Sequence, residues 1–171
     1  GGTVVASASE HGTIVTNGTS FHARDGQNAN SAIAVSINEK DFGGDVFSAI
    51  AFQHTIEQKA FETAHGNAPI RTMGDFLKNG AASGKVLPTY TGKTEECAVE
   101  TLFPPFVGEY LKKGFLCFEK QLSGFSSPDA ILTAPETRTS SPVRILREKD
   151  TLSALSHKGL YPCGEGAGYA G

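Results

Sequence analysis

The stretch Cys163-Gly-Glu-Gly-Ala-Gly-Tyr-Ala-Gly171 decides how this chain is read. Its glycines let a backbone turn sharply and come close to a ligand, because glycine adopts dihedrals that a Cβ forbids. Gly166-Ala-Gly-Tyr-Ala-Gly171 would then open a helix, whose unpaired amides suit an anion or a carbonyl oxygen. Just before it, Leu160, Tyr161 and Pro162 are expected to form a short buried strand. A strand, a glycine turn and a starting helix read as a cofactor-binding turn that stops before its helix. The chain is therefore expected to be a piece of a larger protein.

Two readings of the turn compete. Gly166, Gly168 and Gly171 spell G-x-G-x-x-G, the dinucleotide fingerprint. That fingerprint calls for a following helix, a second strand and an acidic residue about 20 positions on, and a single match among 20 glycines is weak. The other reading is the second flavin motif of two-dinucleotide-domain flavoproteins, in which an apolar strand runs into Gly-Asp or Gly-Glu. Here the strand would be Gly159–Cys163 and the pair Gly164-Glu165. An ordinary glycine-rich terminus is the plain alternative.

Longer motifs join the second reading. Glu136-Thr-Arg-Thr-Ser-Ser-Pro-Val-Arg-Ile145 and Gly159-Leu-Tyr-Pro-Cys-Gly-Glu-Gly-Ala-Gly-Tyr-Ala-Gly171 resemble the uncharacterised bacterial FAD-dependent dehydrogenase-like flavoproteins. Gly1-Gly-Thr-Val-Val5, Val15-Thr-Asn-Gly18, Asn28-Ala-Asn-Ser31, Phe52-Gln-His-Thr-Ile-Glu57 and Lys59-Ala-Phe61 are similar to the middle region of the same family. Thr19 stands where that family usually has Met after Asn-Gly. The family's N-terminal half, which carries the first FAD fingerprint, is not in this sequence.

The resemblance implies an α+β fold: the insert, or cap, domain of a two-dinucleotide-binding-domain flavoprotein, with short strands flanking a helical section. Residues 1–150 would be the insert and 151–171 the start of the returning FAD-binding segment. The cofactor implied for the intact parent is FAD, held in part by Gly164, Glu165, Gly166, Ala167, Gly168 and Tyr169. Glu165 would accept hydrogen bonds from the ribityl hydroxyls, and amides from Ala167 to Gly171 would face the flavin's pyrimidine edge. Arg138, Thr139 and Ser141 are candidates to face flavin or substrate, since a guanidinium suits planar two-point recognition of an anion; a solvated turn is the alternative there. The catalytic residue is unknown. The fragment alone is expected to be inactive and to bind FAD weakly or not at all.

Composition sets the outer bounds. At 171 residues the chain can bury a core and form one domain, or one with part of another. Its net charge of −3 and pI near 6.0 argue against nucleic-acid binding, which would need a basic face. No apolar run approaches the ~18 to 20 residues of a membrane span, and no signal-peptide pattern opens the chain. Cys97, Cys117 and Cys163 are an odd number at wide spacing, which suits reduced thiols in the cytoplasm. With no C-x-x-C and scattered histidines, no metal site is expected. The partners expected are the rest of the parent chain and an unspecified small molecule. A non-catalytic interaction or ligand-binding α+β module is the rival function.

Element expectations follow from periodicity. Strands are expected at Thr3–Ser7, Thr13–Thr16, Ala32–Ile37, Ala130–Ala134 and Val143–Arg147, with turns at His11-Gly12 and Asn17-Gly18. A helix from Asp45 to Ala64 would bury Val46, Ile50, His54, Glu57, Phe61 and Ala64, with Asp45 as its cap and Gly66 as its stop. Met73–Lys78 would add a further turn. Thr94-Glu95-Glu96 would open a short helix, and a longer one from Pro105 to Gly124 would bury Val107, Tyr110, Leu111, Cys117, Phe118 and Leu122. His54 and Glu57, three apart on one helix, could form an acid–base pair or a satisfied polar pair at the helix edge. Asn17, Asn28 and Asn30 are turn-formers first and ligand contacts second. Cys163 reads as packed beneath the turn rather than as a redox thiol.

Overall fold

A short, largely buried segment that periodicity did not mark, Ala68–Thr72, organises the main sheet in the computed structural model, which describes residues 1–7 and 9–168. The strands are β1 (Thr3–Ala6), β2 (Thr16–Thr19), β3 (Ala68–Thr72), β4 (Thr94–Glu96) and β5 (Ile131–Thr133). The helices are α1 (Glu39–Phe42), α2 (Val46–Thr63), α3 (Met73–Leu77) and α4 (Pro105–Gln121). The fold is α+β. β3 lies between β4, which it pairs in parallel from Ala68↔Thr94 to Ile70↔Glu96, and β5, which it pairs antiparallel from Ile70↔Thr133 to Thr72↔Ile131. β1 and β2 form a separate antiparallel pair.

Pro69 and Arg71 hide β3 from a reading that looks for β-branched alternation. Proline cannot donate to a ladder, yet its carbonyl still serves: Ala134 N–H donates to Pro69 O at 3.1 Å. Thr94-Glu95-Glu96 is strand β4, not a helix start, because its pairing with β3 supplies backbone partners that a one-turn helix would leave unmet. The residues do not continue into a helix; a 3-10 turn follows at Val99–Thr101.

The helix boundaries agree closely with the capping chemistry. Ser48 N–H donates to Asp45 Oδ1 at 2.8 Å, the bond that defines an N-cap. Beyond the last turn, Gly66 has φ 80° and donates to Phe61 O at 2.9 Å, a glycine stop. Pro105 occupies the first turn of α4, where its missing N–H costs nothing. Thr72 caps α3 by accepting from Asp75 N–H at 3.2 Å.

The helices bury only part of the expected faces: Glu57, Val107 and, just past the end of α2, Ala64 are buried as expected, and other expected positions are exposed. α2 buries Ala49, Ile56, Glu57 and Ala60, while Val46 and Ile50 are exposed. α4 buries Val107, Gly108 and Phe115, and leaves Tyr110, Phe118, Leu122 and Cys117 exposed. Small residues on α2 permit close packing, so its buried stripe follows alanines rather than the bulkiest side chains.

Several strand expectations are corrected. Asn17-Gly18 makes no turn; it lies inside β2 opposite Val5 and Val4. The reversal is made earlier, where Thr13 N–H reaches Glu10 O at 3.2 Å and Gly12 takes φ 77°. Ile33, Val35 and Ile37 are half-buried in alternation, but residues 32–37 find no ladder partner and form no strand. Leu160-Tyr161-Pro162 is neither strand nor buried, with Leu160 and Tyr161 at 48% and 64% exposure. Residues 143–147 hold one isolated bridge, Arg147↔Ala154.

The chain separates into two compact units, Gly1–Ser36 with His54–Thr137, and Ile37–Gln53 with Arg138–Gly171. The first holds both sheets and a core of Ala60, Met73, Phe76, Val99, Leu102, Phe115 and Ala134. Phe76 and Phe115 meet edge-to-face at 5.8 Å, a favoured aromatic geometry. The second holds α1, the start of α2 and a long irregular segment. No helix among the described residues is long and apolar enough to cross a membrane.

Candidate functional site

The glycine stretch forms, within the second unit, a single 3-10 turn at Glu165–Ala167, without the strand expected before it. Gly164 enters it at φ 97°, ψ −173°, and Gly168 leaves it at φ 81°, ψ 28°. The entry conformation is open to glycine almost alone. Ala167 N–H donates to Gly164 O at 3.1 Å and Gly168 N–H to Glu165 O at 2.8 Å. These two amides therefore serve the turn itself.

The segment after Ser140 holds the turn from behind. Ile145 N–H donates to Gly166 O at 2.8 Å. A Cβ on Gly166 would meet Ser141 Oγ at 3.1 Å and Val143 O at 3.5 Å, and one on Gly168 would meet Arg144 Nη2 at 3.1 Å. At Gly166 a Cβ would crowd the Ser141 hydroxyl, and at Gly168 the φ of 81° itself favours glycine. Ser141 Oγ donates to Val143 O at 2.7 Å, which shapes that wall. Further out, Arg147 Nη1 donates to Pro162 O at 3.0 Å.

Each predicted site residue can now be placed. Ala167 is buried beneath the turn at 5% exposure, whereas Glu165 is exposed at its start. Gly164, Gly166 and Gly168 are half-buried. Tyr169 lies outside the described residues, as do Ala170 and Gly171. Arg138 and Thr139 are exposed, and Ser141 is half-buried with its hydroxyl committed to the backbone. Cys163 is exposed rather than packed under the turn.

His54 and Glu57 have separate surroundings in the first unit. His54 Nε2 lies 3.5 Å from Glu10 Oε2 near the surface. Glu57 is 1% exposed, and its Oε1 accepts from Thr137 Oγ1 at 2.6 Å. Periodicity signalled the burial of Glu57, but not its link to Thr137, 80 residues away. Beside Thr137, the carboxyl of Glu136 is held above the ordinary glutamate range by desolvation.

Of Asn17, Asn28 and Asn30, the last two hold structure. Asn30 Nδ2 donates to Thr3 O and Thr19 O, both at 3.1 Å, and so clasps the ends of β1 and β2. Asn28 Nδ2 donates to Leu87 O at 2.9 Å. Among the described residues no group of three or more His, Cys, Asp or Glu side chains is placed to hold a metal ion.

A cofactor with hydroxyl groups fits one part of this arrangement. Glu165 offers an exposed carboxylate on a turn that residues 141–145 back.

Comparison with known proteins bears on the same question. The family model described as "FAD-dependent protein, C-terminal domain-like" matches residues 1–139. An uncharacterized protein of Clostridium beijerinckii (strain ATCC 51743 / NCIMB 8052) is similar at 46% identity over 176 residues, covering 100% of this chain. The chain spans about a third of that relative's length, 33%.

Proposed function

This chain belongs to the family of FAD-dependent proteins, in its C-terminal-domain-like part, and from that premise we propose that it completes the flavin site of a longer oxidoreductase. Residues 1–150 act as the insert that covers the flavin and shapes a substrate cavity. Residues 151–171 begin the returning FAD-binding segment. The observation that carries this reading is the exposed Glu165 carboxylate on a turn entered through Gly164 at φ 97°.

When bound, FAD supplies the hydride or electron chemistry, and the protein supplies position and electrostatics. Glu165 accepts hydrogen bonds from ribityl hydroxyls, since an ionised carboxylate is an acceptor only. Arg138 and Thr139, exposed where the second unit resumes, face the flavin or an anionic substrate. Ser141 keeps the wall behind the turn in shape. Three free cysteines accord with a cytoplasmic setting. By itself the chain offers too few of the cofactor's contacts to retain FAD.

The test is the visible spectrum of the intact parent beside its Glu165→Ala variant. Flavin bands in the parent that weaken in the variant are expected. A parent that stays colourless after addition of FAD overturns the reading.

A further inference from the structure

Helix α4 packs one side into the core and leaves a patterned side outside. Val107, Gly108 and Phe115 are buried, and Leu111 packs against the core cluster. On the opposite side Phe106, Tyr110, Lys113 and Cys117 follow one another at steps of four, three and four residues, the spacing of a helix–helix seam. Tyr110 is 57% exposed, and Leu116 beside this row is 52% exposed. The row already has a set shape: Phe106 and Tyr110 meet edge-to-face at 6.4 Å, and Lys113 Nζ lies 5.6 Å from the centre of the Tyr110 ring. Side chains ordered in advance lower the cost of association.

The charges beside this row select its partner. Glu109 flanks it near the start of α4 and Lys120 near the end, and both are exposed. From 109 to 120 the helix makes about three turns, so the two side chains leave α4 on the same flank. Among the described residues neither has a charged partner. A flank that runs from negative to positive along a helix is complementary to the same flank run backwards.

We propose that α4 pairs antiparallel with the α4 of a second copy of the protein across a two-fold axis, as in an isologous dimer. With the axis between Gly114 and Phe115, Glu109 stands level with Lys120 of the second copy, and Lys120 with the Glu109 of the second copy. The same axis sets Leu116 against the Lys113 of the second copy, whose stem covers apolar surface while its ammonium stays in water. Complementary charges of this kind fix partner and register more than they add affinity. The inference does not rest on flavin chemistry.

The test is sedimentation equilibrium of the full-length parent over a range of protein concentrations, with charge reversals on α4. A dimer is expected, and Glu109→Lys or Lys120→Glu alone should weaken it on the order of tenfold, because like charges then meet twice across the axis. Glu109→Lys combined with Lys120→Glu should restore it, since the same pairs form with their signs exchanged. Lys149→Glu, an equal change of charge on an exposed turn, should leave it unaltered. Recovery in the double variant separates a lost contact from a lost fold, because both substitutions are then present. A parent that is monomeric throughout overturns the proposal. A dimer that neither single reversal weakens, or that the double variant fails to restore, also overturns it and places the association on another surface. A parent that binds no flavin leaves these outcomes unaltered.

Discussion

Thr137 donates its hydroxyl to the buried carboxylate of Glu57 at 2.6 Å, across 80 residues of sequence. The same stretch of chain is fixed once more just upstream. Thr16 gives both its N–H, at 2.8 Å, and its hydroxyl, at 3.0 Å, to Pro135 O. The chain leaving β5 is thus anchored by α2 and β2 before it reaches Arg138, where the second unit resumes.

Thr137→Val keeps the shape of that side chain and removes its donor. Leaving a buried acceptor short of a donor costs ~1–3 kcal/mol. The urea midpoint of the variant is expected to fall accordingly, with an unchanged slope. A midpoint equal to that of the parent sequence would show that another donor takes over at Glu57.

Gly164→Ala tests the turn. With φ 97° and ψ −173°, an alanine is strained by ~1–3 kcal/mol whatever space surrounds it. The turn should loosen, and the Ile145 amide, which is bonded to Gly166 O at 2.8 Å, should exchange its hydrogen faster. Unaltered exchange at Ile145 would mean that the turn survives without glycine at its entry.

Much of this fold was legible wherever a local interaction decides the outcome. Asp45 and Gly66 bound α2 through bonds made within a few residues, and Pro105 sets the start of α4 through its ring alone. Failures cluster where a distant partner decides. Thr94-Glu95-Glu96 has the composition of a helix start, yet β3 recruits it as a strand. Asn17-Gly18 has turn chemistry, yet β1 and the side chain of Asn30 hold it extended. At the candidate turn the need for glycine at 164 and 168 was readable, because both take positive φ. The exposure of Cys163 and the Glu57–Thr137 bond were not, since both depend on how segments far apart in sequence meet.

The thiols should separate by reactivity. Burial pushes the Cys97 thiol above its ordinary value, with the negative charge of Glu95 adding to the effect. Because the thiolate is the nucleophile, Cys97 should react with a disulfide reagent such as DTNB more slowly than exposed Cys117 and Cys163. A time course with two fast thiols and one slow one is expected. The slow phase should disappear in Cys97→Ser; if it persists, another cysteine is the shielded one.

Acid should weaken the structure through carboxylates that accept backbone hydrogen bonds. Glu119 takes Gly124 N–H at 2.9 Å and Ser126 N–H at 2.6 Å, and these bonds hold its carboxyl below the ordinary value of 4.5. Asp129 is lowered by Ser83, whose hydroxyl and N–H both donate to it. For a group whose folded pKa lies below its unfolded one, the stabilisation is complete above the unfolded value and is lost as pH falls through the folded value. Glu136 has the opposite sign: desolvation raises it, so its contribution favours the fold at low pH and declines as pH rises past the ordinary glutamate value. Glu119→Gln should therefore be less stable than the parent sequence at neutral pH, with the gap closing as pH drops from 4.5 through the lowered pKa. Urea melts of both proteins from pH 7 to pH 3 measure that gap. A gap that stays constant over the range would show that Glu119 acts through its shape and not through its charge.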